Sequence, residues 1–349
     1  MAPRVAIVGG GLCGFVAYLT LRRAGVEDLT VFSPEADPAA TFRVRAAAIR
    51  QSHMRSESDG HCLPTSFPGL AVRDARARRS VAPLVASVLD RYHATVETFL
   101  SHVDDERRRS GWSPVPQRVE AIRAVDGGFE LDRYGVFEHV LVATGHPGLA
   151  VPEELRDDPR VVHAYEPHEY ASSVCVVGAG LAAATEWRNA SAAGARVTSV
   201  RRREPVQRPL NVPRPLLSKR GLARFHRLDS TARAAALHDL LAPSYPREAH
   251  VDVPVERQVN GADQVIAATG FLRGFRHDAL LTPLVDENEL PTVNGWIALA
   301  PDATVPRLTD RERTLALAGV AAQWAYPAAD TLMGARYVAH GFARRCRTR

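Results

Sequence analysis

The chain has no apolar run approaching the ~20 residues that would span a bilayer as a helix, so no membrane partner is expected. Lysine is almost absent: Lys219 is the only one, and nearly all of the positive charge behind the net +5 is arginine. That skew reads as a compositional bias rather than a selected binding face. Runs such as Arg76 to Arg79 and Arg107 to Arg109 read as solvated surface, and no nucleic acid is expected. Cysteine is scarce and scattered at Cys13, Cys62, Cys175 and Cys346. No two lie close enough in sequence to converge on one metal or on each other, which excludes CxxC-type zinc sites and redox dithiols. His53, His163 and His226 show no spacing that gathers three ligands, and no metal is expected. Low-complexity segments are lacking as well.

What is there is the balance of a soluble globular protein, 46% hydrophobic and 24% charged over 349 residues, enough for one large domain or two ordinary ones. Met1-Ala2-Pro3-Arg4 leads straight into an apolar strand and a glycine turn rather than into a cleavable leader, so the expected compartment is the cytoplasm.

One pattern occurs twice. The first copy reads Val5-Ala6-Ile7-Val8-Gly9-Gly10-Gly11-Leu12-Cys13-Gly14, then a helical stretch to Ala24-Gly25 and a strand from Leu29 to Phe32. The second reads Val174-Cys175-Val176-Val177-Gly178-Ala179-Gly180-Leu181-Ala182-Ala183, then a helix to Ala193-Gly194 and a strand from Arg196 to Val200. Each is an apolar strand, a glycine turn, a helix ended by glycine and a second strand, which is a βαβ unit. Between them, Arg118 to Val125, Phe129 to Arg133 and Val136 to Ala143 predict a three-stranded meander turned at Asp126-Gly127-Gly128. Helices are predicted at Val81 to His102, Ser230 to Leu241 and Asp330 to Arg345, and Gln207 to Lys219 reads as a proline-rich connector. The expected fold class is α/β with two Rossmann-like dinucleotide-binding domains, the second inserted into the first. Residues 1–150 and 264–349 form one, and residues 151–263 the other.

A strand, G-x-G-x-x-G and a helix make a phosphate cradle. The first glycine turns the chain, the second lets a pyrophosphate approach the main chain, and the third lets the helix pack on the strand. At the end of the second strand, where an acid would accept from ribose hydroxyls, the first unit has Ser33, with Glu35 two residues on. The second unit ends Val200-Arg201-Arg202-Arg203. Guanidinium groups there suit the 2′-phosphate of NADPH where a carboxylate would repel it. The alternative is that these arginines simply end a surface strand.

Two dinucleotide units, each closed by an Ala-Thr-Gly strand end (Ala143-Thr144-Gly145 and Ala268-Thr269-Gly270), with no dithiol, resemble the flavin-containing (class B) monooxygenase superfamily. The same absence excludes thioredoxin-reductase and disulfide-reductase chemistry on this fold. Val162-His163-Ala164-Tyr165 is similar to the His-Ser-x-x-Tyr part of the family fingerprint, while Asp157-Asp158-Pro159 replaces its Phe-x-Gly. Arg50-Gln51-Ser52-His53-Met54 resembles the flavin-side segment of lysine and ornithine N-hydroxylases, and Gln323 to Arg336 resembles their final flavin-side loop and helix.

The resemblance implies FAD on Gly9, Gly11, Gly14, Glu35, Gln51, Met54, Thr144, Gly145 and Leu332. It implies NADPH on Gly178, Gly180, Ala183, Arg201, Arg202, Thr269 and Gly270, with Gln51 and Gln323 beside the flavin. It further implies a single-component monooxygenase that oxygenates a small molecule with O2 through a flavin C4a-(hydro)peroxide, in specialised biosynthesis. An NAD(P)H-dependent reductase passing electrons to a quinone or protein, and a degenerate flavoprotein acting as a binding protein, are the alternatives.

Overall fold

The computed structural model describes residues 3–54, 70–89, 92–208, 216, 218–259 and 261–347. The chain opens with strand β1 (Val5–Val8), helix α1 (Leu12–Arg23) and strand β2 (Leu29–Phe32). Four helices follow: α2 (Ala40–Ala48), α3 (Leu70–Arg78), α4 (Ala82–Val88) and α5 (Val96–Ser110). Strands β3 (Ile122–Val125), β4 (Gly128–Leu131), β5 (Val136–Phe137) and β6 (His139–Val142) come next. The second unit begins with β7 (Val161–His163), β8 (Ser173–Val177), α6 (Leu181–Ala192), β9 (Arg196–Val200) and β10 (Val206–Gln207). It continues through α7 (Lys219–His226), α8 (Ser230–Leu240), β11 (Ser244–Tyr245), β12 (Val255–Glu256) and β13 (Gln264–Ala267). The chain finishes with α9 (Leu281–Glu287), β14 (Thr292–Val293), β15 (Trp296–Ile297), β16 (Thr314–Leu317) and α10 (Leu332–Cys346).

Two large parallel sheets dominate the described residues, ordered β16-β6-β1-β2 and β12-β9-β8-β13-β7, beside a short parallel β10-β11 pair, an antiparallel β14-β15 pair and the β3-β4-β5 meander. Parallel neighbours need long crossovers, and the helices that supply them cover the sheet faces, so central strands read as unbroken apolar runs. Val5, Ala6, Ile7 and Val8 are accordingly 0–3% exposed. Ile7 sits opposite Val31 of β2 and Leu141 of β6, which in turn faces Ala316 of β16. The chain leaves the first sheet after β6, completes the second, and returns for β16, so the second unit is inserted into the first.

Three expectations need correcting. The boundary at residue 264 falls a strand early, because β13 lies between β8 and β7, with Val265 opposite both Cys175 and Val161. An apolar strand running into Ala-Thr-Gly closes either unit equally well, and only pairing tells them apart. The predicted strand Val136 to Ala143 is two strands: β5 pairs antiparallel with β4, whereas β6 joins the parallel sheet beside β1. Glu138 marks the switch, and its carboxylate accepts the Arg4 N–H at 2.8 Å. The helix predicted from Val81 to His102 is α4 and α5, the latter restarted where the Thr95 hydroxyl caps the Thr98 N–H. Of the connector predicted at Gln207 to Lys219, residues 209–215 and 217 lie outside the described residues. Helices α8 and α10 start and stop within two residues of prediction.

Each unit has its own hydrophobic core, with crossings in both directions: Leu222 and Phe225 of α7 and Ala234 and Leu237 of α8 are buried in the first unit's cluster. Ile49, which ends α2 of the first unit, is 3% exposed inside the cluster formed by Val174, Val176, Trp187 and Ile266 of the second. Among the described residues, no helix is long and apolar enough to cross a membrane, and no three metal-ligating side chains gather.

Candidate functional site: two glycine elbows and the joint between them

At the first elbow Gly9 has φ +106°, and a Cβ there would lie 2.3 Å from the Ala143 carbonyl oxygen at the end of β6. A Cβ on Gly14 would lie 1.9 Å from the Gly9 carbonyl oxygen, so α1 rests on the main chain of the turn. Gly11 differs in kind: nothing lies within 4 Å of where its Cβ would be. Two of the three glycines are thus required by the protein's own packing, and the middle one faces open space.

The second elbow repeats this, with Gly178 at φ +143° and its Cβ position 2.4 Å from the Ala268 oxygen, while Gly180 is open. Ala183 takes the third place and is fully buried. Gly11 and Gly180 are also the N-caps of α1 and α6, and neither helix has a capping side chain or an acid in its first turn. In contrast, Thr95, Ser218, Asp229 and Thr331 cap α5, α7, α8 and α10. Both open elbows therefore present unpaired N–H groups at the positive end of a helix, a seat for a phosphate anion.

A residue the sequence did not single out shapes the first elbow. A Cβ on Gly10 would meet Ser33 Cβ at 2.4 Å and the Trp112 ring at 3.3 Å. Trp112 donates its indole N–H to the Ala36 carbonyl at 2.9 Å and stands edge-on to Phe15 and Tyr18. Ser33 is 3% exposed; its hydroxyl donates to the Glu35 carbonyl at 2.8 Å and accepts the Glu35 N–H at 3.2 Å. Its polarity is used to shape the turn, and Glu35 is left exposed at the end of β2.

The C-terminal stretch comes to this same elbow. Gly319 lies against Cys13, with its Cβ position 3.6 Å from the sulfur. Burial and the nearby Asp330 push the Cys13 thiol up to about 12. Burial also raises Asp330 above the carboxylate range, against the lowering influence of Arg273 and Gln323. Gln323 is 0% exposed, and neither atom of its amide has a partner at hydrogen-bond geometry. Leu332, partly buried, begins α10.

Residues Gln51 to Met54 form a short bridge with the start of α5: His53 pairs with Thr95, and the Met54 N–H donates to the Ala94 carbonyl at 2.8 Å. The Gln51 amide donates to the His53 carbonyl at 2.9 Å. A cleft of about 720 Å³ opens beside them, lined by Gln51, His53, Arg43, Glu97, Asp104 and Arg108 among others.

The two Ala-Thr-Gly ends become the paired connections between the units. Ala150 N–H donates to Gly270 O at 3.0 Å and Leu272 N–H to Gly148 O at 2.9 Å. Thr144 donates its hydroxyl to Asp278 at 2.8 Å, and Thr269 donates to the Ala150 carbonyl. Both hydroxyls serve the connection; Gly145 and Gly270, at φ +80° and +78°, leave open space above them.

His163 ties this crossing together. Its Nε2–H donates to Gly270 O at 3.0 Å and its Nδ1 accepts the Tyr165 N–H at 3.1 Å, an arrangement only the neutral ring makes. Burial accordingly holds its pKa below the ordinary histidine value. Tyr165 and His146 both stack on Phe271, at 4.8 and 4.3 Å between centroids.

At the end of β9 the arginines divide. Arg201 lies over Trp187 at 5.8 Å and pairs with Glu204 at 3.1 Å, leaving its side chain 13% exposed. Arg202 is exposed.

No protein-family model and no curated protein sequence matches the chain. Solved structures do. The ornithine hydroxylase PvdA from Pseudomonas aeruginosa superposes with a TM-score of 0.70 at 14% identity, over 99% of this chain and 100% of that one. The ornithine N-hydroxylase KtzI from Kutzneria sp. 744, in a complex with reduced FAD, NADP+ and L-ornithine, gives 0.75 at 12% identity, over 99% of each chain. The bacillithiol disulfide reductase Bdr (YpdA) from Staphylococcus aureus gives 0.61 at 16% identity, over 98% of this chain and 97% of that one. The chain therefore has the fold of the two-domain flavoproteins, the fold class expected from its paired βαβ repeats.

Proposed function

We propose that the chain is an FAD- and NADPH-dependent oxidoreductase that works as a single-component monooxygenase on a small molecule. The observation that carries this is the pair of open glycines, Gly11 and Gly180. Each has no protein atom within 4 Å of its Cβ position, between packing-required turns and uncapped helix ends. KtzI, of the same fold, is a complex with FAD and NADP+.

Bound together, the flavin and the nicotinamide supply hydride transfer and a two-electron centre that reacts with O2. The protein's own part is to bind, orient and exclude water. Gly9 and Gly14 hold the elbow's shape so that Gly11 admits a diphosphate to the N-terminal N–H groups of α1. Gly178 and the buried Ala183 do the same around Gly180, and Arg202, exposed at the end of β9, is free to meet a 2′-phosphate. The Gln323 amide, buried beside Asp330 with no well-formed hydrogen bond, offers the flavin both a donor and an acceptor; a buried polar group left unmet costs about 1–3 kcal/mol. Burial disfavours the charged form of Asp330.

The acceptor favoured is a soft nucleophile such as an amine nitrogen, and specialised biosynthesis is the favoured setting. A specific observation weighs against thiol–disulfide chemistry like that of Bdr. Cys13 stands at the elbow, but burial and Asp330 push its thiol up to about 12, which disfavours the thiolate that such chemistry needs.

The test is the purified protein loaded with FAD, reduced anaerobically by NADPH and then mixed with isotopically labelled dioxygen and candidate amines. Label in an organic product establishes a monooxygenase. NADPH oxidation that depends on an added quinone, with no labelled product, establishes the reductase. A protein that takes up no flavin would leave only a binding role.

A further inference from the structure

One contact across the joint between the two units starts from a strained residue. Arg50 follows α2 at φ +49°, a left-handed conformation that costs any residue with a Cβ and that glycine adopts freely. Its N–H donates to Ala47 O and that of Gln51 to Ala46 O, the hydrogen-bond pattern that ends a helix and that glycine usually completes. Arginine here is unfavourable for α2, so its reason lies in the side chain.

That side chain reaches into the second unit. The Arg50 guanidinium lies over the Tyr170 ring at 4.4 Å, donates to the His168 carbonyl at 3.4 Å and pairs with Glu169 at 3.0 Å. The Tyr170 hydroxyl donates to Glu186, a fully buried carboxylate on α6, at 2.8 Å. On the other side of the same turn, the Asn189 amide of α6 donates to the Ile49 carbonyl at 2.8 Å, and the Ile49 side chain is buried in the second unit's core. Gln51, the next residue in the chain, lines the cleft beside α5.

From this geometry we infer that Arg50 is a positioning residue for hydride transfer. With Asn189 it clasps the end of α2 to α6, the helix that springs from the second elbow, and so fixes how the two nucleotides meet. This rests on the assignment of FAD and NADPH to the two elbows. The strain is tolerated because a nicotinamide and a flavin must be aligned closely, and a misplacement of about 1 Å can slow a reaction on the order of 100-fold.

The experiment compares wild-type, Arg50→Gly, Arg50→Lys and Asn189→Ala holoproteins. FAD content, thermal stability, and the rates of anaerobic flavin reduction by NADPH and by dithionite are measured. A residue serving only the fold would make Arg50→Gly harmless, since glycine relieves the strained turn. The clasp predicts instead that Arg50→Gly keeps its FAD and its Tm. Its reduction by NADPH at saturation slows by about 10-fold or more. Reduction by dithionite, which needs no alignment, stays at the wild-type rate. Arg50→Lys keeps charge without the planar stack and falls between. Asn189→Ala, which leaves Arg50 in place, slows the same step and carries the test if Arg50→Gly does not fold. Wild-type NADPH reduction rates in Arg50→Gly and Asn189→Ala would overturn the inference while leaving the cofactor assignment standing. A wild-type holoprotein that dithionite reduces and NADPH does not would overturn both.

Discussion

Alanine at Gly11 and alanine at Gly14 should fail in opposite ways. At Gly14 the new Cβ would lie 1.9 Å from the Gly9 carbonyl oxygen, which is main chain at the end of a strand that is 0–3% exposed. Neither side can move without shifting α1 off its sheet. Overpacking of this kind costs about 1–3 kcal/mol or more, and at about 2–4 °C per kcal/mol for a chain of this size the apoprotein Tm should fall by roughly 5 °C or more. At Gly11 the backbone is ordinary, φ −66°, and nothing lies within 4 Å of the new methyl group. The apoprotein Tm should therefore move by no more than about 2 °C. The methyl does occupy the space a diphosphate needs in order to reach the helix N–H groups. Losing one charge-assisted hydrogen bond costs about 1.5–3 kcal/mol, so the dissociation constant for FAD should rise roughly 10- to 100-fold. The assays are differential scanning fluorimetry of apoprotein and titration of flavin fluorescence. Unchanged FAD affinity in Gly11→Ala would refute the idea that this elbow seats a diphosphate, and an equal loss of apoprotein stability in both variants would refute the division between packing and open glycines.

The exposed Arg202 changed to alanine should raise the KM for NADPH about 10-fold and spare NADH, since a charged contact contributes about 1.5–3 kcal/mol; equal effects on both nucleotides would contradict a 2′-phosphate role. Burial lowers the His168 pKa, but its bonds to Glu186 and to the Glu166 carbonyl outweigh this and raise it above 6.5, so the stability it contributes is full below pH 6.5 and is lost as pH rises through the folded value. Urea unfolding from pH 6 to 9 should show that loss, and His168→Gln should flatten it. His146 behaves inversely: burial, Arg273 and Arg45 push it down to about 4, so its contribution is full above pH 6.5 and is lost as pH falls toward about 4, a decline that His146→Phe should reduce. Gln323→Leu removes a buried amide with no well-formed hydrogen bond, so the apoprotein should gain about 1 kcal/mol while FAD affinity falls; a destabilised apoprotein with normal FAD binding would show that the amide, beside Asp330, serves the fold alone.

The repeat was legible because it is written in local terms. An apolar strand, a glycine turn and a helix occupy consecutive residues, and the glycine roles at Gly9, Gly11 and Gly14 follow from the spacing alone. Long-range pairing was not legible. Nothing before Glu138 or after it says that β5 belongs to a meander and β6 to a parallel sheet, and β13 joins the second sheet through partners about 90 to 100 residues away. Trp112 was invisible for the same reason. Its role under Gly10 depends on a contact across the domain, and the only local signal was an aromatic between two turns. Arg201 and Arg202 were both read from their position at the end of β9, but only the structure shows that the Arg201 side chain turns onto Trp187 and Glu204 while Arg202 stays exposed.

Sequence logic and structure disagree most at three places, and the disagreements have a common direction. Helices α1 and α6 begin without caps where serine or aspartate would be favourable. Gln323 is buried where leucine would pack without an unmet amide. Arg50 holds a turn that glycine would hold without strain. Each choice has a local cost, set at Arg50 against its contacts with Tyr170, His168 and Glu169. On the proposed cofactor assignment each becomes favourable with a bound partner: an anion at the uncapped helices, a polar ring edge at Gln323, two aligned cofactors at the Arg50 clasp. The uncapped α1 and α6, Gln323 and Arg50 lie at the elbows and the joint between them, where bound nucleotides would meet them.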